Sequence, residues 1–257
     1  MNTNPHFLEA EWDLPAQARV RTLVTLRMGG NSGGPWSAVD GQGGMNIGFG
    51  GDEPANVERN RARLRGHLPA TPRWLRQVHG HRVLDAEEIG EVPPEADASF
   101  TTRPGVVCAV MIADCLPVLL ADAEGRGVAA AHAGWRGLAG GVLQNTVRAL
   151  RIAVGDPLAS ILAYLGPAIG PECFEVGRDV LDAMQTQLPD AASTFVATGP
   201  AKFHANLFEL ARQALTQVNV REIRGGKLCT SCDPARFYSF RRDGVTGRHA
   251  ALIWMEG

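Results

Sequence analysis

Lysine is nearly absent from this chain of 257 residues: all but Lys202 and Lys227 of its 25 basic residues are arginine. Such an excess comes either from base-composition bias in the coding genome or from anion recognition by guanidinium forks. An excess of charge of one sign is also missing, with 25 basic against 27 acidic side chains and a formal net charge of −2. A nucleic-acid partner calls for a broad basic field, so that class is disfavoured. The arginine-dense stretch from Arg59 to Arg82 has Glu58 as its nearby acid and Trp74 as its interleaved aromatic residue. It reads as a solvated helix face.

No long apolar run is present. The longest, Val106 to Ala121, is interrupted by Asp114, Cys115 and Pro117, well short of the roughly 20 apolar residues of a spanning helix. No even, regularly spaced set of cysteines is present either. The five (Cys108, Cys115, Cys173, Cys229 and Cys232) are scattered, and a chain of this length buries enough surface to fold without staples. Near the start stand Glu9, Glu11 and Asp13, where a secretory leader would be basic and then apolar. The expectation is a soluble, cytoplasmic protein without a membrane partner and with no obligate protein partner evident. With 45% hydrophobic and 20% charged residues, the composition is that of a globular chain.

Neither an internal repeat nor a proline-rich linker divides the sequence, so a single domain over residues 1–257 is expected, with residues 1–18 as a peripheral segment. Arg19 to Leu26 alternates as a strand does. Gly29 to Gly51 is rich in glycine yet holds Trp36, Met45, Ile47 and Phe49, a mixture that predicts an ordered, functional loop in place of a flexible linker. Pro54 opens a helix through Leu68. Val106 to Ile112, Val118 to Ala121 and Gly127 to His132 read as strands buried on both faces. Helices are expected over 138–152, 178–188 and 206–218, and strands over 160–165 and 250–255. Strands and helices mix without strict alternation, which predicts an α+β domain around mixed sheets.

Three segments place a metal-capable or nucleophilic side chain at a strand end beside glycine or proline. They are Gln77-Val78-His79-Gly80-His81, Asp114-Cys115-Leu116-Pro117 and Ala131-His132-Ala133-Gly134-Trp135-Arg136-Gly137. Their separations are too irregular for a zinc finger, so a joint site has to be assembled by the fold. If they converge, Cys115 with two histidines makes a three-ligand zinc set with an open position, the pattern of a catalytic centre. Cys115 activated by His132 without metal is the alternative chemistry; three ordinary core residues are the plain one. Asp114, a carboxylate in an apolar segment, demands a partner. Arg136 lies between a strand and a helix start, where backbone N–H groups and a guanidinium converge on an anion such as phosphate. Cys229-Thr230-Ser231-Cys232 is an isolated CxxC and reads as packing. Among the seven histidines, only His79 and His81 form an HxH pair, too few for a self-contained multicopper assembly.

The segments around Gln77, Asp114 and His132, together with Gly166-Pro167-Ala168-Ile169-Gly170 and Phe237 to Arg248, closely resemble the YfiH family. Members have been labelled laccase-like multicopper polyphenol oxidases and purine nucleoside phosphorylases, and some are associated with peptidoglycan editing. The resemblance implies a four-layer α/β/β/α sandwich like the catalytic domain of cytotoxic necrotizing factor. It implies Zn²⁺ on His79, Cys115 and His132, with copper as the alternative metal. It further implies phosphorolysis of adenosine, inosine, guanosine or S-methyl-5′-thioadenosine with inorganic phosphate, deamination of adenosine, and pocket positions at Asn46, Arg61 and Arg241. Asp114 is the nearest candidate for the general acid. Three other readings remain: a copper-dependent phenol oxidase, a metal-free Cys/His hydrolase in peptidoglycan precursor editing, and a zinc-stabilised binding module without catalysis.

Overall fold

The structure is a computed structural model that describes residues 6–15 and 18–257. Its elements in chain order begin with β1 (Phe7–Leu8), β2 (Val20–Thr25), β3 (Met28–Ser32), α1 (Pro54–Arg65), β4 (Val83–Asp85), β5 (Ala98–Thr101) and β6 (Cys108–Ile112). The central part comprises β7 (Leu116–Asp122), β8 (Val128–Ala133), α2 (Trp135–Ala139), α3 (Val142–Ala153) and β9 (Ile161–Leu165). There follow β10 (Glu175–Gly177), α4 (Arg178–Gln187), β11 (Phe195–Gly199), β12 (Lys202–Ala205), α5 (Leu207–Gln217), β13 (Glu222–Gly225), α6 (Phe240–Asp243) and β14 (His249–Met255).

Two large sheets carry the fold. One is antiparallel, in the order β1-β2-β14-β6; the other is mixed, in the order β13-β9-β7-β8-β5-β4. Because strand side chains alternate between faces, each sheet feeds two apolar layers. Val24, Cys108, Val110, Ala251 and Ile253 of the first sheet meet Leu119, Ala121, Val128 and Ala130 of the second. On the far side of the second sheet, Val118, Leu120, Ala129 and Ala131 pack under α3, α4 and α5 through Val147, Leu150, Val180, Met184, Leu210 and Leu215. On the far side of the first, Leu23, Ala109, Ala250 and Leu252 pack with Leu64 of α1 and with Met45 and Ile47 of the glycine-rich loop. The layers therefore run α/β/β/α, and every residue of β7, β8 and β14 is buried.

The glycine-rich stretch is ordered for a steric reason. A Cβ at Gly44 would lie 1.8 Å from the Trp36 carbonyl oxygen and 2.3 Å from the Tyr238 hydroxyl, so the loop packs this closely only with glycine there. The helix expected over 138–152 is two helices, because Gly141 takes φ 82° and breaks the path between α2 and α3. Strands β4, β5 and β13 and the small β10-β12-β11 sheet carried no clear alternation and were not expected. Of the N-terminal segment 1–18, residues 1–5 and 16–17 lie outside the described residues; within it, β1 extends the first sheet and buries Phe7.

Candidate metal centre and its cavity

The second sheet brings two of the three expected ligands together through register. His132, near the end of β8, stands opposite Pro117, so the turn before β7 that carries Cys115 lies next to it. His79 arrives on the loop before β4. That loop is pinned to the first sheet because the Gln77 side-chain amide donates to the Met111 carbonyl at 2.8 Å and accepts from the Met111 N–H at 2.7 Å. The ligand atoms of His79, Cys115 and His132 lie within 4.8 Å of one another. Cys115 Sγ is 3.8 Å from His79 Nε2, and the two imidazole rings sit 4.9 Å apart edge to face. His79 and Asp114 both have positive φ, 59° and 89°, a backbone cost that non-glycine residues carry mainly where surrounding structure holds a site in place.

Asp97, which carried no motif in the sequence, organises the centre. It is fully buried at the entry to β5. Its Oδ1 accepts from His132 Nδ1 at 2.8 Å and from the His79 N–H at 2.9 Å; its Oδ2 accepts from the N–H groups of Val78 (3.1 Å) and Gly80 (2.7 Å). Burial alone would raise its pKa, but these hydrogen bonds and the His132 charge outweigh it and hold the carboxyl below its usual range. With Nδ1 committed to Asp97, His132 is left with Nε2 for the cluster, as metal-binding histidines commonly are. Burial would depress the His132 pKa, yet Cys115 and Asp97 push it up to about 9. Burial would raise that of Cys115, yet His132 and His79 bring it down to about 6. The donor set thus favours a thiolate without any ion. Gly134 completes the fit: a Cβ there would fall 2.9 Å from Cys115 Sγ and 3.1 Å from His79 Cδ2.

All three residues line a cavity of about 800 Å³ whose walls include Phe49, Trp135, Phe174 and Phe240. Asp114 and Arg241 also line it. The Asp114 carboxylate is engaged at both oxygens: Oδ1 accepts from Thr230 Oγ1 at 2.5 Å, and Oδ2 accepts from Ser239 Oγ at 3.0 Å and the Arg241 N–H at 2.7 Å. It ties three chain segments together, which is the partner the sequence demanded. Arg241 donates to the Glu175 carbonyl and stacks over Phe174.

The remaining expected pocket residues do not line the cavity. Arg136 is exposed and stacks on the Trp135 ring at 4.4 Å; because the helix begins at Trp135, three residues before the expected Leu138, Arg136 falls inside it. Arg61 is held between the rings of Phe49 and Trp74 and donates to the Ile47 carbonyl. Asn46 is buried, with Oδ1 accepting from the N–H groups of Gly48 and Arg248. These two hold the walls. Sequence reasoning passed over Arg248. It lines the cavity, and although burial lowers its pKa, Cys115 and Asp114 oppose that shift electrostatically. It lay unremarked inside the Phe237 to Arg248 motif. A second group also stands out: Cys173, Cys229 and Cys232 lie with their sulfurs within 4.8 Å of one another, so the CxxC read as packing has a third partner.

The architecture defines a class: a four-layer α+β protein with a His/Cys/His donor group opening into an aromatic-walled cavity. Residues 21–256 match the family described as multi-copper polyphenol oxidoreductase laccase, and the chain belongs to this family, which includes YfiH. It is 47% identical over 246 residues to a Pseudomonas aeruginosa protein named purine nucleoside phosphorylase, covering 95% of this chain and 97% of that one. It is 45% identical over 244 residues to purine nucleoside phosphorylase YfiH of Escherichia coli, covering 94% and 96%. Among solved structures, a Neisseria meningitidis protein of family DUF152 superposes with a TM-score of 0.88 at 47% identity, covering 98% of this chain and all of that one. YlmD of Geobacillus stearothermophilus gives 0.85 at 31% identity, covering 96% and 100%.

Proposed function

We propose that this chain is a zinc-dependent purine nucleoside phosphorylase acting on adenosine, inosine, guanosine and S-methyl-5′-thioadenosine, with adenosine deamination as a side activity. The observation that carries the reading is the opening of the His79, Cys115 and His132 donor group into a cavity of about 800 Å³, within the range of small-molecule sites. The names of the relatives support it. Zinc held by these three residues would supply a Lewis acid and an acidified water, the latter suited to deamination.

The chain's own groups divide the rest of the work. Phe49 and Phe240, the exposed phenylalanines of the wall, offer ring surface for a purine, because every base presents a π face to an aromatic ring. Arg248 is the cation for phosphate, in place of Arg136. In phosphorolysis an oxygen of hydrogen phosphate bonds to ribose C1′ while the bond to the base nitrogen breaks, and the purine leaves with the electron pair and takes up, through water, the proton that the hydrogen phosphate gives up. Guanidinium charge fixed near Cys115 orients the anion for in-line attack. Asp114 is a positioning residue and not that proton's donor, since both oxygens already accept hydrogen bonds. Five free cysteines suit the reducing cytoplasm.

One observation favours a second reading: a cysteine with two histidines is also a copper set, and the family description names copper. The deciding experiment is metal analysis of the purified protein beside an assay of base release from the four nucleosides with and without phosphate. Phosphate-dependent release that is lost with the metal in Cys115→Ala supports the proposal. Oxygen consumption on phenols that requires copper overturns it. Full turnover of metal-free protein that thiol alkylation abolishes also overturns it, in favour of the hydrolase. Bound metal with no nucleoside turnover leaves only the binding module.

A further inference from the structure

We infer that Cys173, Cys229 and Cys232 form a second metal site, a three-thiolate cradle for a thiophilic cation such as Zn²⁺, separate from the cavity. The three sulfurs lie within 4.8 Å of one another, with Cys173 Sγ 3.1 Å from Cys232 Sγ and all three cysteines free. Thiolate sulfur selects soft or borderline cations over magnesium or calcium, and three such ligands leave a fourth position, which the exposure of Cys232 opens to water.

Two features go beyond proximity. The first is that backbone amides are aimed at sulfur. The Gly170 N–H donates to Cys229 Sγ at 3.1 Å and the Cys232 N–H donates to the same atom at 3.3 Å. Amide dipoles converging on a sulfur favour its anionic form, the form that binds metal. The second is that the ligands are held by main chain before any ion arrives. Ala168 bridges Cys229 in parallel, through Ala168 N–H to the Leu228 carbonyl at 3.1 Å and Thr230 N–H to the Ala168 carbonyl at 2.9 Å. Cys173 ends the short 3-10 turn Pro171–Cys173. At Gly170 a Cβ would press on Cys229 Cβ and Sγ at 3.1 Å, so glycine lets the two loops close on each other.

The site's consequence is mechanical. An ion there would strap the loop bearing Ile169 and Phe174 to the loop bearing Thr230. Ile169 and Phe174 are cavity walls, and Thr230 holds Asp114. The site shares no residue with the His79, Cys115 and His132 group, and it stands whether or not the phosphorylase reading does.

The test uses the full chain, purified under reductant, loaded with Zn²⁺, freed of excess metal and measured by elemental analysis. Wild type is expected to hold two zinc ions per chain, and Cys229→Ser/Cys232→Ser and Cys173→Ser to hold one. In wild type, alkylation of Cys173, Cys229 and Cys232 followed by peptide mass spectrometry should be slowed at least tenfold by zinc and restored by a chelator. That second readout does not depend on any variant folding. Cobalt in place of zinc should give a sulfur-to-metal absorption band that the double variant loses in larger part. One ion per chain in both wild type and double variant would overturn the inference. So would equal alkylation rates with and without zinc, or a Cys173 to Cys232 disulfide in the reduced preparation.

Discussion

His132 Nδ1 donates a 2.8 Å hydrogen bond to Asp97 Oδ1, and the same carboxylate takes the backbone N–H groups of Val78, His79 and Gly80. One buried side chain thus orients one metal-capable imidazole and fixes the loop carrying the other. In Asp97→Asn, the amide NH₂ has to face donors in place of an acceptor. Stability is expected to fall by about 3 kcal/mol, the scale of buried groups left unpaired, and zinc affinity by about 10- to 100-fold, the usual loss when a supporting partner of a ligand is removed. Thermal unfolding and competition with a metal indicator measure the two. Unchanged affinity would show that the loop does not need this carboxylate.

Gly134 closes the other side of the centre. Its backbone, at φ −67° and ψ 164°, is open to any residue, so the contact of a new Cβ with Cys115 Sγ and His79 Cδ2 is the only new cost. Gly134→Ala is expected to lose metal affinity by about 10-fold or more while costing about 1–3 kcal/mol of stability, the range for overpacking. Elemental analysis with circular dichroism separates the two effects. Full metal content in a stable variant would mean that the three ligand atoms tolerate a shift.

Much of this was legible in the sequence, and what was not has a physical cause. Strands buried on both faces, such as β7 and β8, betray themselves as continuous apolar runs, and two of the three metal-capable residues, Cys115 and His132, stand at strand ends as expected, whereas His79 lies beside Gly80 on the loop before β4. Asp97 gave no signal, because a buried carboxylate that serves main-chain donors has no preferred spacing. That Arg248 lines the cavity and Arg136 does not has a similar reason. A motif places a residue along the chain, but which side of a short helix or turn it occupies depends on where the helix begins. The CxxC looked solitary because its third cysteine comes from a distant loop.

The arginines give a direct contrast. Arg248 lines the cavity while Arg136 stacks outward on Trp135. Replacing Arg248 with Gln removes a charge-assisted contact worth about 1.5–3 kcal/mol, so the KM for phosphate should rise about 10- to 100-fold. Arg136→Gln should stay within about twofold, as exposed substitutions do. Initial rates at varied phosphate decide it, and the reverse order would return the anion site to the start of α2.

Acid stability is expected to depend on His249, buried at the start of β14 with its Nε2 accepting from the Tyr238 N–H at 2.7 Å. Burial is the main cause of its depressed pKa, and the charges of Arg27, Arg248 and Arg242 add to it, so the imidazole falls to about 3. In the unfolded chain the same group titrates near 6.5. Between those values the unfolded state binds the extra proton, so this contribution is complete above about pH 6.5 and is lost as pH falls toward 3, at up to about 1.4 kcal/mol per pH unit. Asp97, Asp122 and Asp243, whose pKa values are also lowered, act lower, below about pH 4. Denaturant unfolding between pH 6.5 and 5 should therefore show a slope that His249→Gln, which keeps an acceptor for Tyr238, reduces. An equal slope in the variant would mean that the imidazole is already charged in the folded protein.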